Sequence, residues 1–586
     1  MAEERDIGSI LLVDCGTVIT KAVLLEQVAG QYHFIARGEA STTMEYPWSD
    51  VTEGIRHAGE QISEATGRRF FDVNGNLISP ELAGRQGVDA FAATVSASQP
   101  LQVVLGGLVR DLSVASAERA AAGTYSSIKA ILASNGQMGR SNTEERIRTI
   151  LDAMPDVVCI TGGTDGGAVT PVLELVETAA LSSTLIEPQN RPCLLYAGNA
   201  RLRRRVVDII GERAELRVVD NVRPTLSEET LSSAQTELNA LYVQDKMRHM
   251  PGIETIIDWN PVPLTPTASA FGRLVQYLWH LGDPSKGVLG VDLGAANTTL
   301  AAVFDGQLFM TIRGDVGTVF GGEQLLQERG TENITRWLPE PMSAEEARGV
   351  FINKETHPIS IQQEPRELWL EQALAREAIR ATLEVARPGW EPGSAQPYSH
   401  LLPLCDTIVI GGGALAHAPR PGQVALIVLD TLEPIGVTTL VLDSYGLAPA
   451  LGNVAAIKPL AAVETLDNGG LVNLATVITP VGHARRGDTI LKMSVTYEDG
   501  STFRVEVRYG DLEVLPLLPG QQAVIELHPL RRFDVGLGGP GKAGKRRVNG
   551  GLVGLIVDAR GRPLRHPNRS DRQQEQMKKW LWDVGG

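Results

Sequence analysis

Two short motifs, far apart in the chain, combine the residue types of a phosphate-binding hairpin. Each runs from an apolar strand through an aspartate, one further residue and a glycine into a short turn and a second apolar strand; the first contains Asp14 and Gly16, the second Asp292 and Gly294. Glycine has no Cβ, so backbone N–H groups can approach phosphate oxygens closely. The aspartates can hold a hydrated Mg²⁺ or orient a water. Two such hairpins facing each other would clamp a polyphosphate.

A third motif is a buried-strand pattern that ends in three glycines, within the segment Asp406–Leu415. A turn of this kind lets the backbone pass close to a flat ligand such as adenine, or opens a helix whose N-terminus faces an anion. Together the three motifs predict a cleft that binds ATP with Mg²⁺. The alternative is that these glycines only make turns between core strands.

Asp14 and Asp292 are predicted to bind the metal and to act in catalysis, because they would face the phosphates from opposite sides of the cleft. Threonine hydroxyls beside them would donate to phosphate, and Lys21 would neutralise its charge or, alternatively, point to solvent. The predicted cofactor-binding residues are Gly16, Thr17, Thr20, Lys21, Gly294, Asn297, Thr298, Thr299, Gly411, Gly412 and Gly413.

Asp165 is a further catalytic candidate. It lies in the glycine-dense segment Gly162–Gly167, directly after the short apolar run Val157–Thr161. Ligands of α/β sheets bind beyond the carboxyl ends of strands, so Asp165 could orient a water or a metal. The alternative, a tight turn with the aspartate at a positive φ, is equally compatible with the pattern.

The composition excludes several classes of function. A net charge of −15 and a pI near 5.3 argue against a nucleic-acid-binding protein that relies on bulk electrostatics. The start of the chain is charged, which is not typical of a signal peptide, and no apolar run reaches membrane-spanning length. We therefore expect a cytoplasmic protein. The four cysteines form no C-x-x-C pair, which favours buried structural thiols.

The pattern of helices and strands predicts three regions. Strands alternate with helices up to about residue 465, which is typical of an α/β protein. We expect a first lobe over 1–285, a second lobe over 286–465 and an all-β module with a polar tail over 466–586. The turn formers of Asp467–Gly470 suit a boundary, so the module is predicted to fold alone, with the basic segment Lys542–Arg547 as a mobile loop.

The ordered trio of motifs resembles the superfamily of ATP-binding proteins that contains actin, the heat-shock chaperone ATPases and the sugar kinases. Within it, the chain resembles the MutL-type accessory proteins associated with adenosylcobalamin-dependent glutamate mutase, which are unrelated to the mismatch-repair protein of similar name. The resemblance covers roughly residues 8–465. The segments that carry it are Asp14–Lys21, Gly162–Gly167, Ala197–Ala200, Asp220–Val222, Asp292–Thr299 and Ile410–Pro419.

This resemblance implies a two-lobed actin-like ATPase fold with ribonuclease-H-like lobes, and a partnership with a B12-dependent mutase. Two departures from the superfamily pattern bear on catalysis. Thr299 and Leu300 stand where the second loop usually carries an acidic residue, and the helical segment Pro266–His280 contains no carboxylate. We therefore expect nucleotide binding with weak or partner-stimulated ATP hydrolysis.

Two other functions remain compatible with the sequence. One is a small-molecule kinase of the sugar-kinase type, in which Asp165 would act as the base for a substrate hydroxyl. The other is an actin-like filament or scaffold protein that attaches through the β module. A pocket beside Asp165 would favour the kinase. The oligomeric state is not predicted by any feature of the sequence.

Overall fold

The structure is a computed structural model that describes residues 7–133, 140–390, 398–530, 532–566 and 570–585. Residues 1–6, which contributed to the expectation of a cytoplasmic protein, lie outside the described residues. The chain divides into two compact units. The first comprises Met1–Ala97, Pro251–Phe309 and Val316–Gly586, and the second comprises Ser98–Met250 and Met310–Asp315.

The strands, in chain order, are β1 (Ser9–Cys15), β2 (Ile19–Val28), β3 (Gln31–Ser41), β4 (Ala90–Val95), β5 (Leu101–Gly107), β6 (Ser126–Ala133), β7 (Val157–Ile160), β8 (Cys193–Tyr196), β9 (Leu216–Val218), β10 (Thr265–Pro266), β11 (Gly287–Leu293), β12 (Thr298–Phe304), β13 (Gln307–Arg313), β14 (Cys405–Gly411), β15 (Gly436–Leu442), β16 (Val472–Thr479), β17 (Thr489–Tyr497), β18 (Thr502–Arg508), β19 (Leu512–Leu515), β20 (Gln522–Pro529), β21 (Gly544–Asn549) and β22 (Gly554–Asp558).

The α-helices are α1 (Val51–Thr66), α2 (Ala115–Ala122), α3 (Arg140–Ala153), α4 (Thr170–Thr184), α5 (Arg203–Ile210), α6 (Ser232–Asp245), α7 (Ile253–Trp259), α8 (Thr267–Leu281), α9 (Gly322–Arg329), α10 (Thr331–Thr335), α11 (Ala344–Thr356), α12 (Pro365–Ala386), α13 (Gly413–Ala416), α14 (Pro421–Thr431), α15 (Ala448–Val454), α16 (Pro459–Thr465) and α17 (Ser570–Asp583).

The same five-strand arrangement occurs twice in the chain. One sheet has the order β3-β2-β1-β4-β10, and a second sheet begins with the order β13-β12-β11-β14-β15. In both sheets, the central strand pairs antiparallel with the strand that follows it in the chain and parallel with its neighbour on the other side. Thus β1 pairs with β2 and β4, and β11 pairs with β12 and β14. This repeated order is that of two ribonuclease-H-like lobes, so the predicted two-lobed actin-like α/β fold is confirmed.

The two lobes meet along a close helix crossing. Helix α8, which leads from the first sheet into β11, packs against α15: a Cβ built on Gly452 would lie 1.9 Å from the carbonyl oxygen of Ala270. Glycine and alanine permit this approach because they carry little or no side chain. The amide of Asn453 also donates to the carbonyl oxygen of Ala93, at 3.0 Å.

The C-terminal strands are divided between two sheets. Strands β17, β18, β20 and β21 form an antiparallel sheet in the order β18-β17-β20-β21, as the predicted all-β module requires. Strands β16, β22 and β19 instead extend the second lobe's sheet beyond β15. The start of the β-rich region near residue 466 is therefore not a boundary between separate sheets, and we no longer expect 466–586 to fold alone.

A buried ion network ties the C-terminal segment to helices of the second lobe. Asp430 of α14 accepts from Arg376 of α12 and from Arg560, each at 2.8 Å, and Asp558 accepts from Arg560 at 2.9 Å and from Arg562 at 2.6 Å. Every side chain in this network is almost completely buried. Removing one partner would leave a buried charge without compensation, which is strongly destabilising.

The sequence predicts a mobile loop for the basic segment from Lys542 to Arg547, and the structure differs from this prediction. From Gly544 onwards it forms strand β21, which pairs with β20. The ammonium of Lys545 lies 3.2 Å from the carboxylate of Glu526 on that neighbouring strand. Strand pairing is made by backbone hydrogen bonds, so a segment rich in basic side chains can still form an edge strand.

The second unit is an open sheet of the doubly wound type. Its five strands have the order β6-β5-β7-β8-β9, and the four pairings are all parallel. Helices α2, α4, α5 and α6 connect or cover these strands. The sequence pattern placed this segment within a first lobe over 1–285; the structure adds that 98–250 form a compact unit of their own.

All four cysteines are buried free thiols, as expected: Cys15, Cys159, Cys193 and Cys405. Burial, with a further contribution from the charge of Asp14, raises the pKa of the Cys15 thiol far above its ordinary value. The thiol is therefore protonated at neutral pH, as a buried structural cysteine is expected to be.

Candidate functional site

The first unit contains a cavity of about 670 Å³ whose wall includes both aspartate–glycine hairpins and the glycine-rich turn. This volume lies within the range of small-molecule and cofactor sites. The predicted residues that line it are Asp14, Gly16, Thr17, Lys21, Asp292, Gly294, Asn297, Gly412 and Gly413.

The two hairpins have the same local geometry. The amide N–H of Gly16 donates to the carbonyl oxygen of Ile19 at 3.1 Å, and that of Gly294 donates to Asn297 at 2.9 Å. A Cβ on Gly16 would lie 2.7 Å from the Ile19 carbonyl oxygen, so this tight turn requires glycine. Both turns reach the cavity wall, to which the first contributes Gly16 and Thr17 and the second Gly294 and Ala295.

Asp14 is held in position by two hydroxyl groups. Its Oδ1 accepts from the Oγ1 of Thr94 at 2.8 Å and from the Oγ1 of Thr267 at 2.7 Å. Thr94 belongs to the neighbouring strand β4, and Thr267 is the first residue of α8. The carboxylate therefore has a fixed orientation, as a metal ligand or water-orienting group requires. Neither threonine was found from the sequence, since both are distant from the hairpin in the chain.

Asp292 has an unusual electrostatic environment. Burial raises its pKa to about 7, while Lys21 opposes the rise and the charges of Asp14 and Asp443 add to it. Burial also raises the pKa of Asp443, although its carboxylate accepts backbone N–H bonds from Leu447 and Ala448, each at 2.8 Å. Lys21 lowers the pKa values of both Asp292 and Asp443, so an added cation nearby would likewise favour the ionised forms of these two groups.

The glycine-rich turn after β14 packs directly on the second hairpin. Gly412 has a φ of +96°, and a Cβ at this position would lie 2.1 Å from the carbonyl oxygen of Leu293. Any other residue would therefore displace the hairpin or the turn. Gly412 and Gly413 line the cavity, whereas Gly411 is buried in the strand beside Asp292.

Three predicted threonines are buried outside the cavity wall. Thr20 Oγ1 shares a hydrogen bond with Thr42 Oγ1 at 3.0 Å, and Thr298 Oγ1 donates to the Val316 carbonyl oxygen at 2.8 Å. Thr299 is also fully buried. Successive strand residues point to opposite faces, so Lys21 reaches the cavity and its neighbour Thr20 does not. The prediction that these hydroxyls contact phosphate is corrected accordingly.

Asp165 lies in the second unit. Its Oδ1 accepts from the amide N–H of Ala200 and from the side-chain amide of Asn221, both at 2.9 Å. The side chain of Asn199 accepts from the N–H of Gly166 at 3.0 Å. Asp165 thus joins the loops that follow β7, β8 and β9. The positive φ that the turn interpretation gave to the aspartate is found instead at Gly162, Gly163 and Gly166.

Other polar residues of the cavity wall were not found from the sequence. Lys354 of α11 and Glu371 of α12 both line it. Burial raises the pKa of Glu371, and Lys354 and a hydrogen bond from Gln362 oppose the rise. Gln423 of α14 also lines the cavity. These residues lie on helices α11, α12 and α14, and no local motif in the sequence distinguishes them.

The wall fits a magnesium–nucleotide complex. Within the described residues, no cluster of three or more His, Cys, Asp or Glu side chains could hold a metal by itself. Mg²⁺ usually keeps several waters and binds through one or two carboxylates together with substrate phosphates. Asp14 and Asp292, which both line the cavity, would supply that number of carboxylates, and the ammonium of Lys21 would supply a donor for phosphate.

The duplicated sheet and the cavity between two aspartate–glycine hairpins define an actin-like, two-lobed α/β protein. The chain belongs to the MutL protein family, whose model matches residues 10–469. A relative in this family, Protein MutL of Clostridium tetanomorphum, is 23% identical over 443 residues, which cover 71% of this chain and 87% of the relative.

Solved structures with a partial likeness to the chain include three enzymes or enzyme-associated proteins. Nucleotide-free acetone carboxylase has a TM-score of 0.35 at 12% identity, covering 86% of this chain and 81% of its own. Glycerol dehydratase reactivase has a TM-score of 0.31 at 11% identity, covering 77% of this chain and 100% of its own. Xylulose kinase from Bifidobacterium adolescentis has a TM-score of 0.26 at 12% identity, covering 79% and 93%. The strand order of the chain itself identifies its fold.

Among the described residues, no helix combines the length and the apolar character needed to cross a membrane.

Proposed function

We propose that this chain is an ATP- and Mg²⁺-binding accessory protein, a chaperone or reactivase of a B12-dependent mutase, acting in the cytoplasm. The observation that carries the proposal is the pair of equivalent hairpins, with Asp14 and Asp292 lining one cavity. Membership of the MutL family supports the accessory role, because the sequence resemblance links this family to adenosylcobalamin-dependent glutamate mutase.

Each group in the cavity has a role in this proposal. The amides of the two hairpins and the ammonium of Lys21 bind the phosphates, while Asp14 and Asp292 hold the hydrated ion. Bound Mg²⁺ would supply positive charge to the phosphate oxygens. Because Asp292 has a pKa near 7 without a cation, the ion also favours its ionised form. Metal and nucleotide are therefore expected to bind together.

We propose that the protein acts by binding ATP rather than by hydrolysing it rapidly. Helix α8, which carries Thr267 at the cavity, contains no aspartate or glutamate, and Thr299 pairs opposite Asp292 where an acidic residue would serve hydrolysis. A ligand that contacts both lobes favours the conformation in which they are close. We propose that the partner recognises this closed conformation and stimulates a weak ATPase.

A kinase role receives less support from the site. Such a reaction needs a base beside the phosphates to accept a hydroxyl proton, and the candidate was Asp165. That carboxylate already accepts hydrogen bonds from Ala200 and Asn221.

The accessory role is tested by retention of the mutase on the immobilised chain. Purified adenosylcobalamin-dependent glutamate mutase is applied with Mg²⁺–ATP, with Mg²⁺–ADP, or without nucleotide. We expect retention that depends on the nucleotide and is lost in the Asp14→Asn variant. Asp305→Asn, in the exposed turn after β12, serves as the matched control. Equal retention without nucleotide, or none under any condition, would refute the role.

A further inference from the structure

The second lobe has a further cavity, of about 120 Å³, whose wall shares no described residue with that of the nucleotide cavity. It lies where α12, α14 and the chain after β22 meet, and Arg380, Arg387, His400, Glu433 and Pro563 line it. This volume is well below that of the usual cofactor sites, so the cavity admits a small ion or a few waters.

The ion pairs around this small cavity contain more positive than negative charge. Six arginines form ion pairs with five carboxylates, and Arg387 adds a seventh guanidinium. The arginines are Arg329, Arg336, Arg376, Arg380, Arg387, Arg560 and Arg562, and the carboxylates are Glu377, Glu384, Asp430, Glu433 and Asp558. Two positive charges are therefore left over in this cluster, in a chain whose net charge is −15.

The two arginines with the weakest pairing are those that line the small cavity. Arg380 approaches the carboxylates of Glu377 and Glu433 only at 3.7 Å. Among the described residues, the guanidinium of Arg387 has no carboxylate within 4.0 Å, and its Nη2 donates to the carbonyl oxygen of His400 at 2.9 Å. The other five arginines each have a carboxylate oxygen at 2.8 Å or less.

The electrostatics of the cavity favour a bound anion. Burial lowers the pKa of Arg387, the charge of Glu433 opposes this effect, and the charge of Arg380 adds to it. Glu433 is itself engaged, since its carboxylate accepts from the backbone N–H of Leu564 at 2.7 Å. An anion between the two guanidinium groups would relieve their repulsion and favour their charged forms.

We propose that this small cavity binds a free tetrahedral dianion of the inorganic phosphate class between Arg380 and Arg387. The planar fork of a guanidinium matches two phosphate oxygens, and hydrogen bonds between charged groups are the strong ones. A dianion also carries the two negative charges that the cluster lacks. The small volume favours the free ion over a phosphate that is attached to a larger molecule. The site is independent of the proposed nucleotide binding.

The test is a calorimetric titration of the full chain with inorganic phosphate at pH 8, without nucleotide or Mg²⁺. Sodium chloride at the same ionic strength is the reference, because surface charges are screened equally in both. We expect saturable binding of phosphate with a Kd of about 1 mM or below, and no saturable binding of chloride. Glycerol 3-phosphate should bind more weakly than phosphate, because its carbon chain exceeds the cavity. Equal or tighter binding of glycerol 3-phosphate would overturn the assignment to a free ion.

Two variants assign the binding to this cavity. Arg387→Gln should weaken phosphate binding at least about tenfold, as expected for the loss of a hydrogen bond between charged groups. Glu433→Gln should strengthen it, because one competing negative charge is removed. Arg366→Gln is the matched control: Arg366 also belongs to α12 and donates to a backbone carbonyl oxygen, that of Pro341 at 2.8 Å, but lies outside the cavity wall. Its affinity for phosphate should equal that of the unmodified chain.

The opposite signs of the two variants keep the proposal testable, since loss of folding cannot strengthen binding. Full affinity in Arg387→Gln would place the phosphate elsewhere, for example between the hairpins, and would overturn the proposal. Equal or weaker binding by Glu433→Gln, a weakening by Arg366→Gln as large as that by Arg387→Gln, or no binding to the unmodified chain would also overturn it. None of these results bears on the binding of Mg²⁺–ATP.

Discussion

Replacing Asp292 by asparagine should stabilise the protein in the absence of nucleotide. Asparagine has nearly the same shape but cannot ionise. The pKa of Asp292 rises from 3.8 to about 7, and each pKa unit corresponds to about 1.36 kcal/mol. Ionisation at this site therefore costs at most roughly 4 kcal/mol of folding free energy. Asp292 is only part-buried, since it lines the cavity, and water there reduces the figure to an expected ~2 kcal/mol.

The sign of the effect depends on pH. A carboxyl group with a raised pKa holds its proton more tightly in the folded state, so folding is favoured at low pH. The cost is absent below about pH 4, grows as pH rises from the unfolded pKa of 3.8 towards the folded value near 7, and is complete above it. The Asp292→Asn variant should match the unmodified protein near pH 4 and exceed it at pH 8.

Urea unfolding of the protein without nucleotide at several pH values measures this difference. Asp305→Asn, an exposed aspartate in the turn after β12, is the control and should show no such pH dependence. A variant that is equally or less stable than the unmodified protein at pH 8 would refute the reasoning, because it would show that the Asp292 carboxylate is well stabilised without a cation.

Four further results are expected. The affinity for Mg²⁺–ATP, measured by calorimetry, should fall by up to about tenfold per pH unit below pH 7 as Asp292 becomes protonated. An affinity that does not change with pH would contradict the role of Asp292 in binding the metal. Lys21→Met should weaken Mg²⁺–ATP binding and raise the pKa of Asp292 further, since Lys21 lowers it; unchanged affinity in the same titration would place Lys21 away from the phosphates. A chain truncated after residue 465 should lose the part of its folded circular dichroism signal that comes from the second lobe, because β16, β19 and β22 complete that lobe's sheet; an unchanged signal per residue would restore the separate module. Asp558→Asn should lower the free energy of unfolding by about 3–5 kcal/mol, measured in urea, because Arg560 would lose a buried partner, and a change below about 1 kcal/mol would show that the network contributes little.

The hairpins and the glycine turn could be predicted from the sequence because their signal is local. An aspartate, a glycine two residues later and flanking apolar strands are enough to specify the turn, and the structure forms the same hydrogen bond in both copies. It was harder to predict which side of a strand each side chain faces. Lys21 and Thr20 are neighbours in the sequence, yet only Lys21 lines the cavity.

The rest of the site depends on contacts between distant segments. Thr267 reaches Asp14 only because α8 begins beside β1, and Gln423 enters the cavity wall from a helix with no motif of its own. The same reason explains the C-terminal region. The sequence pattern predicted the strands of this region. The pairing of β16 with β15 depends on the completed second lobe rather than on local sequence.

The central claim is that Mg²⁺–ATP binds between the two hairpins, and crystals grown with Mn²⁺ and a non-hydrolysable ATP analogue test it most directly. Mn²⁺ takes the same oxygen ligands as Mg²⁺ and gives an anomalous signal. We expect a single strong anomalous peak between the carboxylates of Asp14 and Asp292, with the phosphates beside the two hairpins. Nucleotide bound elsewhere, or a metal distant from both carboxylates, would contradict the account.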